Sequence, residues 1–153
     1  MADQMELDLG GVGKEYAVDR CCAKLRARTD VSCLINFGGD CAVTAPPGSQ
    51  IGWRIGVENS IGPGTALETI ELTSGALATS GDSHRYVMDG DQKLGHILDA
   101  RTGWPVVDAP ASLTVASETC LQAGMLATLA CQKGAAVESF LESEAIRYRI
   151  QWH

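Results

Sequence analysis

The sequence predicts an α+β fold: a single domain in which a mixed β-sheet packs against helices. Three observations carry this. The chain starts with a strand, a tight glycine turn and a helix ("MELDLGGVGKEYAVDR"). Short apolar or alternating runs, separated by turn residues, fill the middle. Residues 118–132 and 134–143 read as two late helices before a final strand. At 153 residues the chain is sized for one domain and can bury a real core.

The elements follow in order. In residues 14–28, Ala17, Val18, Cys21, Cys22 and Leu25 share one helical face. "VSCLINF" (31–37) is an apolar strand closed by Gly38-Gly39. With the opening strand it forms a strand–helix–strand unit, which favours a parallel pair. "CAVTA" reads as a strand and "PPGSQ" as a loop. "GWRIGV" (52–57) and "ETIELT" (68–73) alternate as strands do. "SGALATSGD" is small-residue strand or turn, packed closely beneath something. "HRYVMDGDQKLGHIL" is a hairpin around an Asp-Gly-Asp turn, and "DARTGWPVVDAP" is a loop. "SLTVAS" and "AIRYRIQW" are the last strands.

Composition excludes several functions. The net charge is −7, and the densest basic stretch is only Lys24, Arg26 and Arg28. Nucleic-acid binding draws most of its affinity from phosphate contacts, so such a chain is a poor candidate for it. No apolar run approaches the roughly 20 residues of a membrane span. The six cysteines form no C-x-x-C and sit mostly in apolar patterns, so reduced structural thiols and a cytoplasmic location are expected. The polar residues 1–7 agree, because no apolar signal core lies among them.

Two stretches carry chemistry. "DLGGVGKEY" contains Gly-Gly-x-Gly-Lys but lacks the spacing and the Ser/Thr of a P-loop. Lys14 there either holds a phosphate or is a solvated lysine on a glycine-rich turn. Asp8 is either a binding carboxylate or the cap of the next helix. In "GHILDARTGWPV", His96 precedes Asp99, Arg101 and Thr102, which equally suit a self-bonded turn. "LATSGD" adds hydroxyls and a carboxylate and also reads as a tight turn.

Taken together and in order, "DLGGVGKEYAVDR", "INFGGD", "ALATSGD", "GHILDARTGWPV", "SLTVAS" and "AGMLATLA" make the chain resemble the FAD:protein FMN transferase family. The founding member of that family was called a thiamine-biosynthesis lipoprotein. The resemblance runs over nearly the whole chain. It implies binding of FAD and Mg²⁺, cleavage of the pyrophosphate, transfer of FMN to a Thr or Ser hydroxyl of a target protein, and release of AMP. Some members hydrolyse FAD instead. Carried over by position, Asp8 and Lys14 match flavin-nucleotide contacts, and the Gly11 carbonyl and Thr128 match metal ligands. His96 matches the catalytic histidine, Leu98 an FAD contact, and Asp99 and Thr102 the turn that follows.

The chain departs from the family pattern in four respects. Gly124 stands where the family has a metal-ligand Asp, Glu15 where it usually has Gly, and Ala100 where it usually has Pro. Gln122 offers a neutral oxygen nearby, and Gly124→Asp is expected to raise Mg²⁺ affinity. The family also carries an N-terminal portion before this motif. Residues 1–153 therefore resemble one flavin-transferase-like domain without that portion, whether a truncated gene, a minimal form or half of a split protein. A homodimer, or a separate chain supplying the missing part, is the expected partner. The alternative reading is a non-catalytic flavin- or nucleotide-binding protein, or an oligomeric remnant of the fold. Relatives are often exported, unlike the cytoplasmic location expected here.

Overall fold

A computed structural model describes residues 9–62 and 65–153. Helix α1 (Gly13–Arg26) is followed by strands β1 (Leu34–Phe37), β2 (Asp40–Val43), β3 (Trp53–Glu58), β4 (Ala66–Leu72), β5 (Ala76–Ser80), β6 (Tyr86–Asp89), β7 (Gln92–Gly95) and β8 (Ser112–Ser117). Helix α2 (Cys120–Cys131), a 3₁₀ turn (Gly134–Ala136), helix α3 (Val137–Ser143) and strand β9 (Arg147–Gln151) complete the chain. The fold is α+β. Five strands form one sheet in the order β1-β2-β5-β8-β9, while β3–β4 and β6–β7 are separate ribbons.

Every strand pairing among the described residues is antiparallel. The parallel pair expected from the strand–helix–strand unit requires the opening segment, and residues 1–8 lie outside the described part. The "SGALATSGD" stretch resolves as strand β5 at the centre of the sheet. Its small residues let α2 pack directly across it, with Ala123, Ala127 and Ala130 buried against Ala76 and Ala78.

The period-2 rule assigns the two faces of the sheet. On one side Ala42, Ala76, Ala78, Leu113 and Val115 meet α1 and α2, with Val18, Cys120 and Leu141 fully buried there. On the other, Cys41, Val43 and Leu77 pack beneath the β3–β4 ribbon with Leu72, Ile55, Ile70 and Trp53. The helices are tied to one another. Asp19 on α1 accepts from the N–H groups of Cys120 (2.8 Å) and Leu121 (2.9 Å) at the start of α2, where the Thr119 hydroxyl also accepts from Gln122 N–H. At the other end of α1, Arg26 Nη2 donates to the Val43 carbonyl at 2.9 Å, fixing the helix to β2.

The β1–β2 turn needs φ > 0 at both central residues, which Gly38 (φ +64°) and Gly39 (φ +100°) supply. It delivers Asp40 to the same end of the sheet at which α1 begins and β5 ends.

All six cysteines are free, and four of them, Cys22, Cys41, Cys120 and Cys131, are buried. Burial pushes the Cys41 thiol up to about 11 and Cys131 up to about 12, and raises Cys22 and Cys120 as well. A thiol reagent such as DTNB should therefore label only Cys21 and Cys33 in the native protein and all six after unfolding. Rapid native labelling of more than two thiols would contradict this packing.

Candidate active-site cleft

A cleft of about 730 Å³ opens at the end of the sheet where α1 starts. Its walls come from stretches far apart in the sequence. Gly10, Gly11, Lys14 and Glu15 come from the start of α1, and Gly38-Gly39 from the first hairpin turn. Thr79, Ser80 and Gly81 come from the end of β5, His96, Ile97 and Leu98 from the bend after β7, and Thr128 from α2. Val12, the N-cap residue of helix α1, makes no side-chain cap, and a Cβ placed on Gly11 or Gly13 would meet nothing within 4 Å. The Val12 and Gly13 N–H groups donate to the Leu9 carbonyl, so what the glycines leave at the helix start is open space beside Lys14.

Lys14 and Glu15 in the cleft wall sit against Asp40, which is 2% exposed and does not itself line the cleft. Its Oδ1 accepts from Thr79 N–H at 3.1 Å, and its Oδ2 faces the Lys14 ammonium in an ion pair. Glu15 lies beside them and is 7% exposed. Burial pushes its carboxyl above the usual carboxylate range, and the charge of Asp40 adds to the rise against the opposing pull of Lys14. Its Oε2 makes no hydrogen bond. The Thr128 hydroxyl is 2.9 Å from Ser80 Oγ.

His96 also lines the cleft. Its Nδ1 lies 3.1 Å from the Arg85 carbonyl, which can only accept, so Nδ1 carries the hydrogen. In the neutral ring that leaves Nε2 as a proton acceptor. Asp99 and Thr102 do not line the cleft. Asp99 accepts from Arg101 N–H (2.8 Å) and Arg101 Nη2 (2.7 Å), and this pairing holds its carboxyl down at about 2. The Thr102 hydroxyl accepts from Trp104 N–H, and the Leu98–Pro105 bridge closes the loop. These residues shape the turn that carries His96 and Leu98 to the wall. Gln122 is exposed and away from the cleft. Asp8 lies outside the described residues.

The profile of the ApbE family matches residues 1–150. The chain belongs to the ApbE family. FAD:protein FMN transferases of Klebsiella pneumoniae and Vibrio cholerae are 32% and 29% identical to it over 126 residues, covering 82% of this chain and 38% of theirs. The solved ApbE protein of Thermotoga maritima superposes with a TM-score of 0.84 at 30% identity, over 95% of this chain and 48% of that one. The apo flavinyl transferase ApbE of Pseudomonas stutzeri gives 0.80 at 26% identity, over 94% and 44%. The chain thus spans under half the length of these ApbE relatives, and it corresponds to their C-terminal portion.

All six stretches of the ApbE resemblance, scattered in sequence, contribute residues to this one cleft. Of the site residues read from sequence, Gly11, Lys14, His96, Leu98 and Thr128 lie there together. Asp40 and Glu15 are the functional candidates that sequence reading missed. Asp40 had a signal, as the last residue of "INFGGD"; Glu15 had one only as an oddity after Lys14. Among the described residues no three His, Cys, Asp or Glu side chains converge as a metal cluster. The cleft does hold a buried carboxylate oxygen without a hydrogen bond and a hydroxyl on α2, with the Gly11 backbone nearby. Such an all-oxygen set fits a hard divalent cation.

Proposed function

We propose that this chain takes part in Mg²⁺-dependent transfer of FMN from FAD to a Thr or Ser hydroxyl of a target protein, with release of AMP. The observation that carries the reading is the convergence of Lys14, His96, Leu98, Thr128 and the opening glycine turn on one cleft. In it, the pyrophosphate lies at the start of α1 beside Lys14, whose side chain is 40% exposed and whose ammonium, paired with Asp40, turns to the phosphate when one is bound. Leu98, 48% exposed on the cleft wall, offers an apolar contact to the bound dinucleotide. Thr128 and the Gly11 carbonyl would hold the cation, which supplies positive charge against the phosphate oxygens.

The reaction balances simply. The anhydride bond between the FMN phosphorus and the bridging oxygen breaks, and AMP leaves with that oxygen. The hydroxyl oxygen of the target bonds to the same phosphorus. His96 Nε2 accepts the hydroxyl proton, held in the correct tautomer by the Arg85 carbonyl. The remaining wall of the flavin pocket comes from outside residues 1–153, and a dimer by light scattering would favour a second copy as its source. Six free thiols suit a reducing compartment such as the cytoplasm.

The test is AMP release from FAD with Mg²⁺ by the purified chain, alone and with a target peptide. His96→Ala should slow release by about 10²–10⁴-fold, the usual worth of a general base, with an unchanged melting temperature. Lys14→Ala should weaken FAD binding. No turnover with any divalent ion would overturn the reading.

A further inference from the structure

Two of the positions at which this chain departs from the family pattern meet in space. Gly124 lies fully inside α2, and a Cβ there would sit 2.8 Å from Glu15 Cγ and 3.1 Å from Glu15 Oε1. The missing side chain of Gly124 is therefore not a void. Glu15, reaching across from α1, fills it. We propose that Glu15 is the carboxylate ligand of the divalent-cation site, taking the place of the aspartate that the ApbE pattern carries at position 124. The proposal rests on the flavin-transfer reading above for its choice of cation.

Four observations support it. Glu15 Oε2 is buried without a hydrogen bond, while the rest of the carboxyl is held by its own backbone N–H and by Asp40, so one oxygen is left open to a cation. The nearby ammonium is committed elsewhere, because Lys14 pairs with Asp40 and no salt bridge reaches Glu15 among the described residues. Glu15 and Thr128 line the same cleft. Thr128 also stands one helical turn from Gly124, so a carboxylate pressed against Gly124 occupies the face that carries the hydroxyl. A Gly at 15 with an Asp at 124, and a Glu at 15 with a Gly at 124, are two ways to put one carboxylate in one place. Glutamate's extra methylene suits the longer reach from the neighbouring helix. The carboxylate has changed helices, and Gly124 makes the exchange sterically feasible.

The test is a titration of chelator-treated protein with Mn²⁺ alone, read by the electron paramagnetic resonance signal of free Mn²⁺. The wild-type chain is expected to bind one ion. Glu15→Gln keeps the shape and removes the charge, and should weaken binding by about tenfold or more, as loss of a metal-site contact does. The double variant Glu15→Gly with Gly124→Asp should restore binding. Melting curves without metal report whether each variant folds; if Glu15→Gln does not, the double variant decides alone. Equal Mn²⁺ affinity in wild type and Glu15→Gln would overturn the assignment, and so would a wild-type chain that binds no Mn²⁺ or a folded double variant that binds none. AMP release is scored separately. Glu15-dependent Mn²⁺ binding without AMP release would defeat the transfer reading and leave the cation site intact.

Discussion

Gly124→Asp alone is expected to destabilise the protein by about 3–5 kcal/mol, the range for an uncompensated buried charge. The new Cβ would lie 2.8 Å from Glu15 Cγ, too close for two carbons, so Glu15 must leave its place or α2 must shift. Position 124 is buried, and Glu15 and Asp40 already bring two carboxyl groups to this end of the cleft. A third would sit in low dielectric with Lys14 as the nearby cation, and Lys14 is already paired. The sequence alone points the other way, since restoring the family's aspartate reads as the repair of a metal site. The structure adds a cost that the sequence does not show, because the space has been taken. Thermal unfolding without metal should show a melting temperature lower by about 10 °C or more for a domain of this size. Adding Glu15→Gly should recover most of the loss, and a double-mutant cycle should give a large favourable coupling between the two sites. A stable single variant, or no coupling, would mean that the two side chains do not share this space.

Much of the fold was legible, and for a physical reason. Helices and strands follow from local periodicity, and the buried faces of α1 (Val18, Cys22) and of the strands repeat at the spacings that burial imposes. The Asp-Gly-Asp hairpin turn was legible because glycine, here Gly90 at φ +60°, is nearly alone in tolerating φ > 0. Strand order was less so. That β5 lies between β2 and β8 depends on contacts between distant stretches, and the small residues that permit close packing of α2 also resemble a turn. The cleft was half legible. Lys14 and His96 stand out by residue type, and both line the cleft. Glu15 did not stand out, because its meaning lies in an absence more than one hundred residues away, at Gly124. Read singly, one position looks like a lost ligand and the other like a stray charge. Only the packing of α1 against α2 shows that they are one feature. Asp99 and Thr102 illustrate the converse. Their residue types suit chemistry, yet their hydrogen bonds are spent on the turn itself.

Gly81→Ala should cost about 3 kcal/mol, at the upper end of overpacking, because the obstacle is backbone. Gly81 follows β5 at the floor of the cleft. A Cβ there would overlap the Ala111 carbonyl oxygen and stand 2.7 Å from Ser112 Cα and 2.8 Å from the Ala111 carbonyl carbon. A flexible side chain could swing away, but these atoms belong to the segment that leads into β8 in the middle of the sheet. Relief must come from parting β5 and β8 where Ser80 faces Leu113, and Leu113 is fully buried beneath the helices. The disturbance then travels in two directions. Inward it loosens the core, lowering the melting temperature by about 6–12 °C. Outward it moves Ser80, whose hydroxyl is the partner of Thr128, so ligand affinity should fall together with stability. Gly103→Ala makes the control. That glycine also has a positive φ (+71°), but its Cβ would meet nothing within 4 Å, so it pays only backbone strain of about 1–2 kcal/mol. If the two variants melt alike, the close approach at Gly81 is not what holds β5 against β8. If Gly81→Ala melts much lower but keeps full FAD and Mn²⁺ affinity, then Ser80 and Thr128 do not depend on that floor.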